Sequence, residues 1–137
     1  SPIDMYVFLA NTSKIIPFTG SITQPDPSLT ELELDLRIRI HKIDHAPRSH
    51  TTLTFIFPST ANATLRVLVQ TKLRPDYDMM EREAIVISQQ NPKYPLDIYD
   101  SDNERSFFFM GVLPGPEVPV NESITYSFEV SSIVCRF

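Results

Sequence analysis

Proline is the residue that most constrains what this chain can fold into. Twelve prolines are spread through 137 residues, against only three glycines. A proline inside a helix removes a backbone hydrogen bond and clashes with the preceding turn, so prolines at this density exclude long helices. Pro47, Pro58, Pro75, Pro92, Pro95, Pro114, Pro116 and Pro119 fall between apolar runs rather than inside them, which is where proline sits in chains built of strands. The runs recur at roughly the 8–12-residue spacing of sandwiches and barrels.

Side-chain parity points the same way. Leu32-Glu33-Leu34-Asp35-Leu36-Arg37-Ile38-Arg39-Ile40-His41 alternates apolar and charged residues without a fault. Successive side chains of a strand point to opposite faces. The spacing therefore predicts one long strand, with Leu34, Leu36 and Ile38 inward and Glu33 and Arg37 in water. Shorter strands are expected at 3–9, 15–22, 51–57, 64–73, 84–88, 106–113 and 124–137, and residues 78–83 are the one helical candidate. Near the C-terminus, Ile124, Tyr126, Phe128 and Val130 share one parity, while Ile133, Cys135 and Phe137 share the other. Keeping both sets in one core predicts a β-bulge at Ser131-Ser132 with Cys135 pointing inward. The expectation is a single domain over residues 1–137, an all-β antiparallel β-sandwich, jelly-roll-like, of seven or eight strands.

Composition narrows the function. The chain is 42% hydrophobic and 21% charged, enough to build a core. Its formal net charge of -5 argues against a sequence-independent nucleic-acid partner, which needs a basic surface. No apolar run approaches the roughly 20 residues of a membrane helix, so direct membrane insertion is not expected. The chain opens Ser1-Pro2-Ile3, without methionine or a signal-peptide pattern, and stops at Phe137 inside an apolar stretch. A processed chain or a piece of a larger one is expected from that. Cys135 is the single cysteine, so no intrachain disulfide forms. Asn11-Thr12-Ser13, Asn62-Ala63-Thr64 and Asn121-Glu122-Ser123 all match the N-glycosylation acceptor pattern. Asn11, Asn62 and Asn121 are thus glycosylation candidates and favour an extracellular or virion-surface location.

Three constellations have the composition of functional sites. His41, Asp44, His45 and His50 cluster within ten residues. Histidine and aspartate are zinc ligands, and Asp44, a histidine and Ser49 are the ingredients of an acyl-transfer triad. The spacing is not that of a known metal motif, and a chain with three glycines is poorly supplied for an oxyanion hole. A solvated loop is the expected reading. Asp97, Asp100, Asp102 and Glu104 present carboxylates suited to calcium. Arg105 and Gly111, however, stand where an EF-hand requires Gly and Glu, so an ordinary solubilising loop is expected here too. No metal or cofactor is expected. The third constellation is Phe107-Phe108-Phe109-Met110. Four bulky apolar residues in a row cannot all face one core from a two-faced strand, so one parity must meet a second layer or a partner. Phe107, Phe108 and Met110 are the interaction candidates, with Phe108 expected at the contact.

The closing stretches SFFFMGVLPG and ITYSFEVSSIVCRF, joined by a proline-rich loop, resemble the last strands of jelly-roll capsid proteins of small RNA viruses. The resemblance covers about a third of the chain. It implies a jelly-roll capsid chain cut from a polyprotein, and the lack of a basic arm favours a protruding domain over a shell domain. Together these readings predict a non-enzymatic recognition or assembly domain on an outer surface, with a protein partner that is either a second copy or a receptor. The alternatives are a secreted or cell-surface receptor ectodomain with an immunoglobulin-like sandwich, and a metal-dependent or Asp-His-Ser hydrolase using residues 41–50.

Overall fold

The computed structural model describes residues 3–6, 12–16, 21–45, 49–57, 62–95, 98–99 and 106–134. Among them, eight strands run three residues or more. These are β1 (Ile3–Tyr6), β2 (Thr12–Ile16), β4 (Arg39–His45), β5 (Ser49–Ile56), β6 (Leu65–Gln70), β7 (Ile85–Ile87), β9 (Ser106–Pro114) and β11 (Ser127–Val134). Three two-residue strands, β3 (Ile22–Thr23), β8 (Ile98–Tyr99) and β10 (Ser123–Ile124), and two short helices, α1 (Glu31–Asp35) and α2 (Tyr77–Glu83), complete the set. One sheet has the order β1-β4-β9-β6-β7 and the other β2-β11-β5-β8, while β3 and β10 form a separate ribbon. All pairings are antiparallel except that of β1 with β4. The protein is an all-β sandwich, and among the described residues no helix is long and apolar enough to cross a membrane.

The five-stranded sheet is packed on its inner face and on part of its outer face. Its inner face contributes Ile43, Leu65, Val67, Ile87, Phe108, Met110 and Val112 to a core shared with Leu53, Phe55, Phe128 and Val130 of the facing sheet. Its outer face carries Ile38, Ile40, Leu68 and Leu113, which pack with Met80 of α2 in a second cluster. The close approach of α2 depends on Gly111. A Cβ at that position would sit 3.0 Å from Met80 Sδ and 3.3 Å from Ile38 Cγ2, tighter than such atoms normally tolerate. Tyr94 ties the two sheets together. Its amide donates to Leu53 O at 2.9 Å, and its hydroxyl accepts from Val69 N at 3.3 Å.

Two expectations fail here for physical reasons. Residues 32–41 do not form one strand: 31–35 are helical and the strand begins at Arg39. Asp26 folds the preceding chain into a turn, accepting from Ser28 N at 2.9 Å and Leu29 N at 3.1 Å. Thr30 then caps α1, its hydroxyl accepting from Glu33 N at 3.3 Å and donating to Glu33 Oε1 at 2.8 Å. Thr30-Glu31-Leu32-Glu33 is a capping-box sequence, and this start signal prevails over the alternation. The helical period then separates the leucines. Leu34 is buried, whereas Leu32 and Leu36, four residues apart on one helix face, are 71% and 53% exposed. Asp35 accepts from Tyr77 N at 2.8 Å, which docks α1 onto the start of α2.

The bulge at Ser131-Ser132 is absent as well. β11 pairs with β5 residue for residue from Ser127↔Ile56 to Val134↔Ser49. The parity therefore never changes: Ser132 is buried, its hydroxyl 3.4 Å from that of Thr51, and Ile133 faces solvent. Two facing hydroxyls on adjacent strands satisfy one another, so this end of the interior tolerates polar side chains. Cys135 lies outside the described residues.

These placements distinguish two residues of the alternating stretch. Ile38→Ala should lower unfolding free energy by about 2–5 kcal/mol, the range for a fully buried aliphatic truncation. Leu36→Ala should cost no more than about 0.5 kcal/mol. Urea midpoints of the two variants check this, and equal shifts would contradict the placement of the helix.

Candidate interaction surface

The FFFM run resolves by parity along β9. Phe108 is 1% exposed and Met110 fully buried, both in the core between the sheets. This corrects their reading as interaction residues, because a side chain enclosed by the facing sheet offers no surface. Phe107 and Phe109 take the outer face instead. α2 packs against the far end of that face, and Phe109 is half-buried beside it. Phe107, at the other end of β9, is 38% exposed. Its ring meets Phe109 edge-on at 5.3 Å, and Lys42 Nζ lies 4.2 Å from its centroid. Lys42 is the register partner of both Phe109 and Met5, and Asp44 is that of Phe107. Register partners on neighbouring strands share a face. Met5, 68% exposed, and Ile3, 43% exposed, therefore extend the same apolar patch across β1. Its charged members, Lys42 and Asp44, stand between the apolar side chains.

The described members of the histidine cluster lie on two strands rather than in a loop. β4 runs through His45 and β5 begins at Ser49. His41 is fully buried on the inner face. Its Nε2 and the Tyr126 hydroxyl share a short hydrogen bond, and its ring stands edge-on to Phe128 at 4.9 Å. Asp44, three residues on, projects from the opposite face, as strand geometry requires. Ser49 is buried between the sheets and its neighbour His50 is exposed. Asp44, Ser49 and His50 thus point to three different environments, and the structure does not bring them together. For His45 only the backbone is described. Among the described residues, no group of three or more His, Cys, Asp or Glu side chains is arranged to hold a metal ion. Asp97, Asp100, Asp102, Glu104 and Asn11 lie outside the described residues.

A polar network that sequence reasoning missed closes the opposite end of β9. Gln24 is nearly buried, and its Nε2 donates to Gly115 O at 2.8 Å and Val118 O at 2.9 Å. Its Oε1 accepts from Arg66 Nη2 at 2.8 Å, while Arg66 Nε donates to Pro114 O at 2.7 Å. Glu117 accepts from Thr64 N at 2.6 Å and from the Thr64 hydroxyl at 2.7 and 2.8 Å. Burial raises the Glu117 pKa, but the bonds from the Thr64 side chain and backbone outweigh it, so the carboxyl is held below its usual value. Beside this network, Asn62, Glu117, Pro119, Glu122 and Ile124 line an open cleft of about 240 Å³. Only the alternation at Leu65-Arg66-Val67, which sets one charge on a strand, hinted at the network; its partners are brought in from distant turns.

Compared with protein-family models, with curated proteins and with solved structures, the chain matches none.

The direction of the Glu117 shift fixes a pH dependence. A carboxyl whose pKa is lower in the folded than in the unfolded state adds stability above its unfolded value, and that stability is lost as the pH falls. Between about pH 5 and pH 3, the native protein should lose more stability than Glu117→Gln. The difference should be at most about 1 kcal/mol, because the group is solvent-exposed. Parallel pH profiles of the urea midpoint for the two proteins would contradict the role of Glu117.

Proposed function

We propose that this sandwich is a non-enzymatic recognition and assembly domain displayed on an outer surface, joining copies of itself through the outer face of its five-stranded sheet. The observation that carries the reading is the patch of Ile3, Met5 and Phe107. Its three apolar side chains are between 38% and 68% exposed, on a face whose other end is covered by α2. Contiguous exposed apolar side chains are uncommon on monomeric soluble proteins and mark contact sites. Aromatic residues are enriched at such sites, where charged neighbours set register and orientation; Lys42 and Asp44 supply one charge of each sign. A capsid or protruding domain uses a sandwich in this way. A receptor ectodomain uses the same face for a different protein, and the exposure of Asn62 and Asn121 suits either. The hydrolase alternative draws no support from Asp44, Ser49 and His50, which face apart.

Sedimentation over a concentration series tests the assembly reading. The chain should self-associate reversibly, and Phe107→Ser should weaken association at least tenfold, about 1.4 kcal/mol. The same change should alter the unfolding free energy by less than about 1 kcal/mol, because the ring is already partly in water. A chain that stays monomeric throughout, or a Phe107→Ser variant that associates unchanged, contradicts the proposal.

A further inference from the structure

The two acceptor triplets within the described residues converge in space. Asn62 is exposed and lines the cleft beside Glu117. Two residues on, Thr64 O accepts from Gly115 N at 2.7 Å, and Leu65 pairs with Pro114. This places Asn62 at the Pro114 end of β9. Asn121 is exposed in a turn closed by Glu122 N to Pro119 O at 3.1 Å, and its φ of 68° is the left-handed conformation that asparagine tolerates better than most residues. Its amide donates to Gln24 O, and the Gln24 side chain donates to Gly115 O, so Asn121 lies at the same end. Its neighbour Glu122 lines the same cleft. Phe107 is seven residues away along β9, about 24 Å at about 3.4 Å per residue.

We propose that Asn62 and Asn121 both carry N-linked glycans, one on an asparagine that lines the cleft at the Pro114 end of the sandwich and the other on the asparagine next to the cleft residue Glu122, well away from the Phe107 patch. The inference rests on the outer-surface reading, since the modification occurs in the secretory pathway. The donor is a lipid-linked oligosaccharide diphosphate. The Nδ2 atom of asparagine bonds to the sugar's anomeric carbon, the anomeric C–O bond breaks with its electron pair leaving on the diphosphate, and the amide loses one proton. In the folded protein the Thr64 hydroxyl is bound to Glu117, and that of Ser123 lies 2.7 Å from the Thr23 hydroxyl. Both triplets are therefore read on the extended chain, before these turns close. The finished sugars project from exposed positions that the fold does not need to bury, which is why modification and folding are compatible here.

The test is secretion of the chain from eukaryotic cells behind a leader peptide, followed by intact mass measurement and peptide N-glycosidase treatment in heavy-oxygen water. The enzyme converts each glycosylated asparagine to labelled aspartate, so occupancy is read residue by residue. Label is expected at both Asn62 and Asn121. Asn62→Gln and Asn121→Asp, the second chosen because aspartate also tolerates positive φ, should each remove one glycan and, when made without glycans, keep the thermal midpoint of the native sequence made without glycans. Ser123→Ala should remove the Asn121 glycan while keeping the asparagine. A secreted, folded chain lacking label at either asparagine overturns the proposal. Occupancy is independent of self-association, which is measured on protein made without glycans, so the two proposals fail separately.

Discussion

The packing of β9 on both faces is the constraint around which the molecule is arranged. A strand with one wet face needs only a facing sheet, but Phe108, Met110 and Val112 on one side of β9 and Phe109 and Leu113 on the other demand two apolar layers. The facing sheet provides one. The other comes from α2, seated close because Gly111 presents no Cβ to Met80. Burial of a phenylalanine or leucine side chain contributes about 1.5–3 kcal/mol, so β9 draws stability from both layers. α2 is short, and its cover runs out before Phe107 is reached. The exposed patch is thus a consequence of the same double burial, located where the second layer ends.

The two ends of β9 differ in chemistry as well as in cover. At Pro114, backbone carbonyls that leave the sheet are collected by Gln24 and Arg66, and Glu117 anchors Thr64. Buried carbonyls without partners are costly, so this network holds the turn at 115–122 in one conformation. Toward Phe107, the polar side chains described on the outer face include Lys42, Asp44 and Gln70. A rigid polar end and an apolar, loosely covered end on one strand separate the surface suited to carrying sugars from the surface suited to meeting a protein.

Much of the architecture was legible in the sequence. Proline placement marked the boundaries of most strands, and alternation is plain on β5, where Leu53 and Phe55 are buried and Thr52 and Thr54 between them are only partly so. Legibility ended where a local signal contradicted the pattern. Thr30 and Glu33 start a helix inside a strand-like alternation, and the buried Ser132 keeps a parity that apolar counting assigned to Ile133. Both errors came from treating apolar residues as inward by rule; Leu36 and Ile133 are exposed, while Thr51 and Ser132 are buried with each other as partners. For the site, the FFFM run showed that two layers or a partner were required, but not which parity met which. That depends on β4 and β6 pairing beside β9, at sequence separations a linear pattern does not encode. The histidine cluster was dispersed by the same geometry, since neighbouring residues of a strand face opposite ways.

The claim on which the account stands is that β9 is the doubly buried centre of the fold. Residue-resolved native hydrogen exchange tests it directly. The amides from Phe108 to Leu113 should exchange only through global unfolding, with opening free energies equal to the unfolding free energy from urea and at least as high as those of β5 and β11. Exchange of these amides through local openings well below the global value, while β5 and β11 remain protected, would contradict the account.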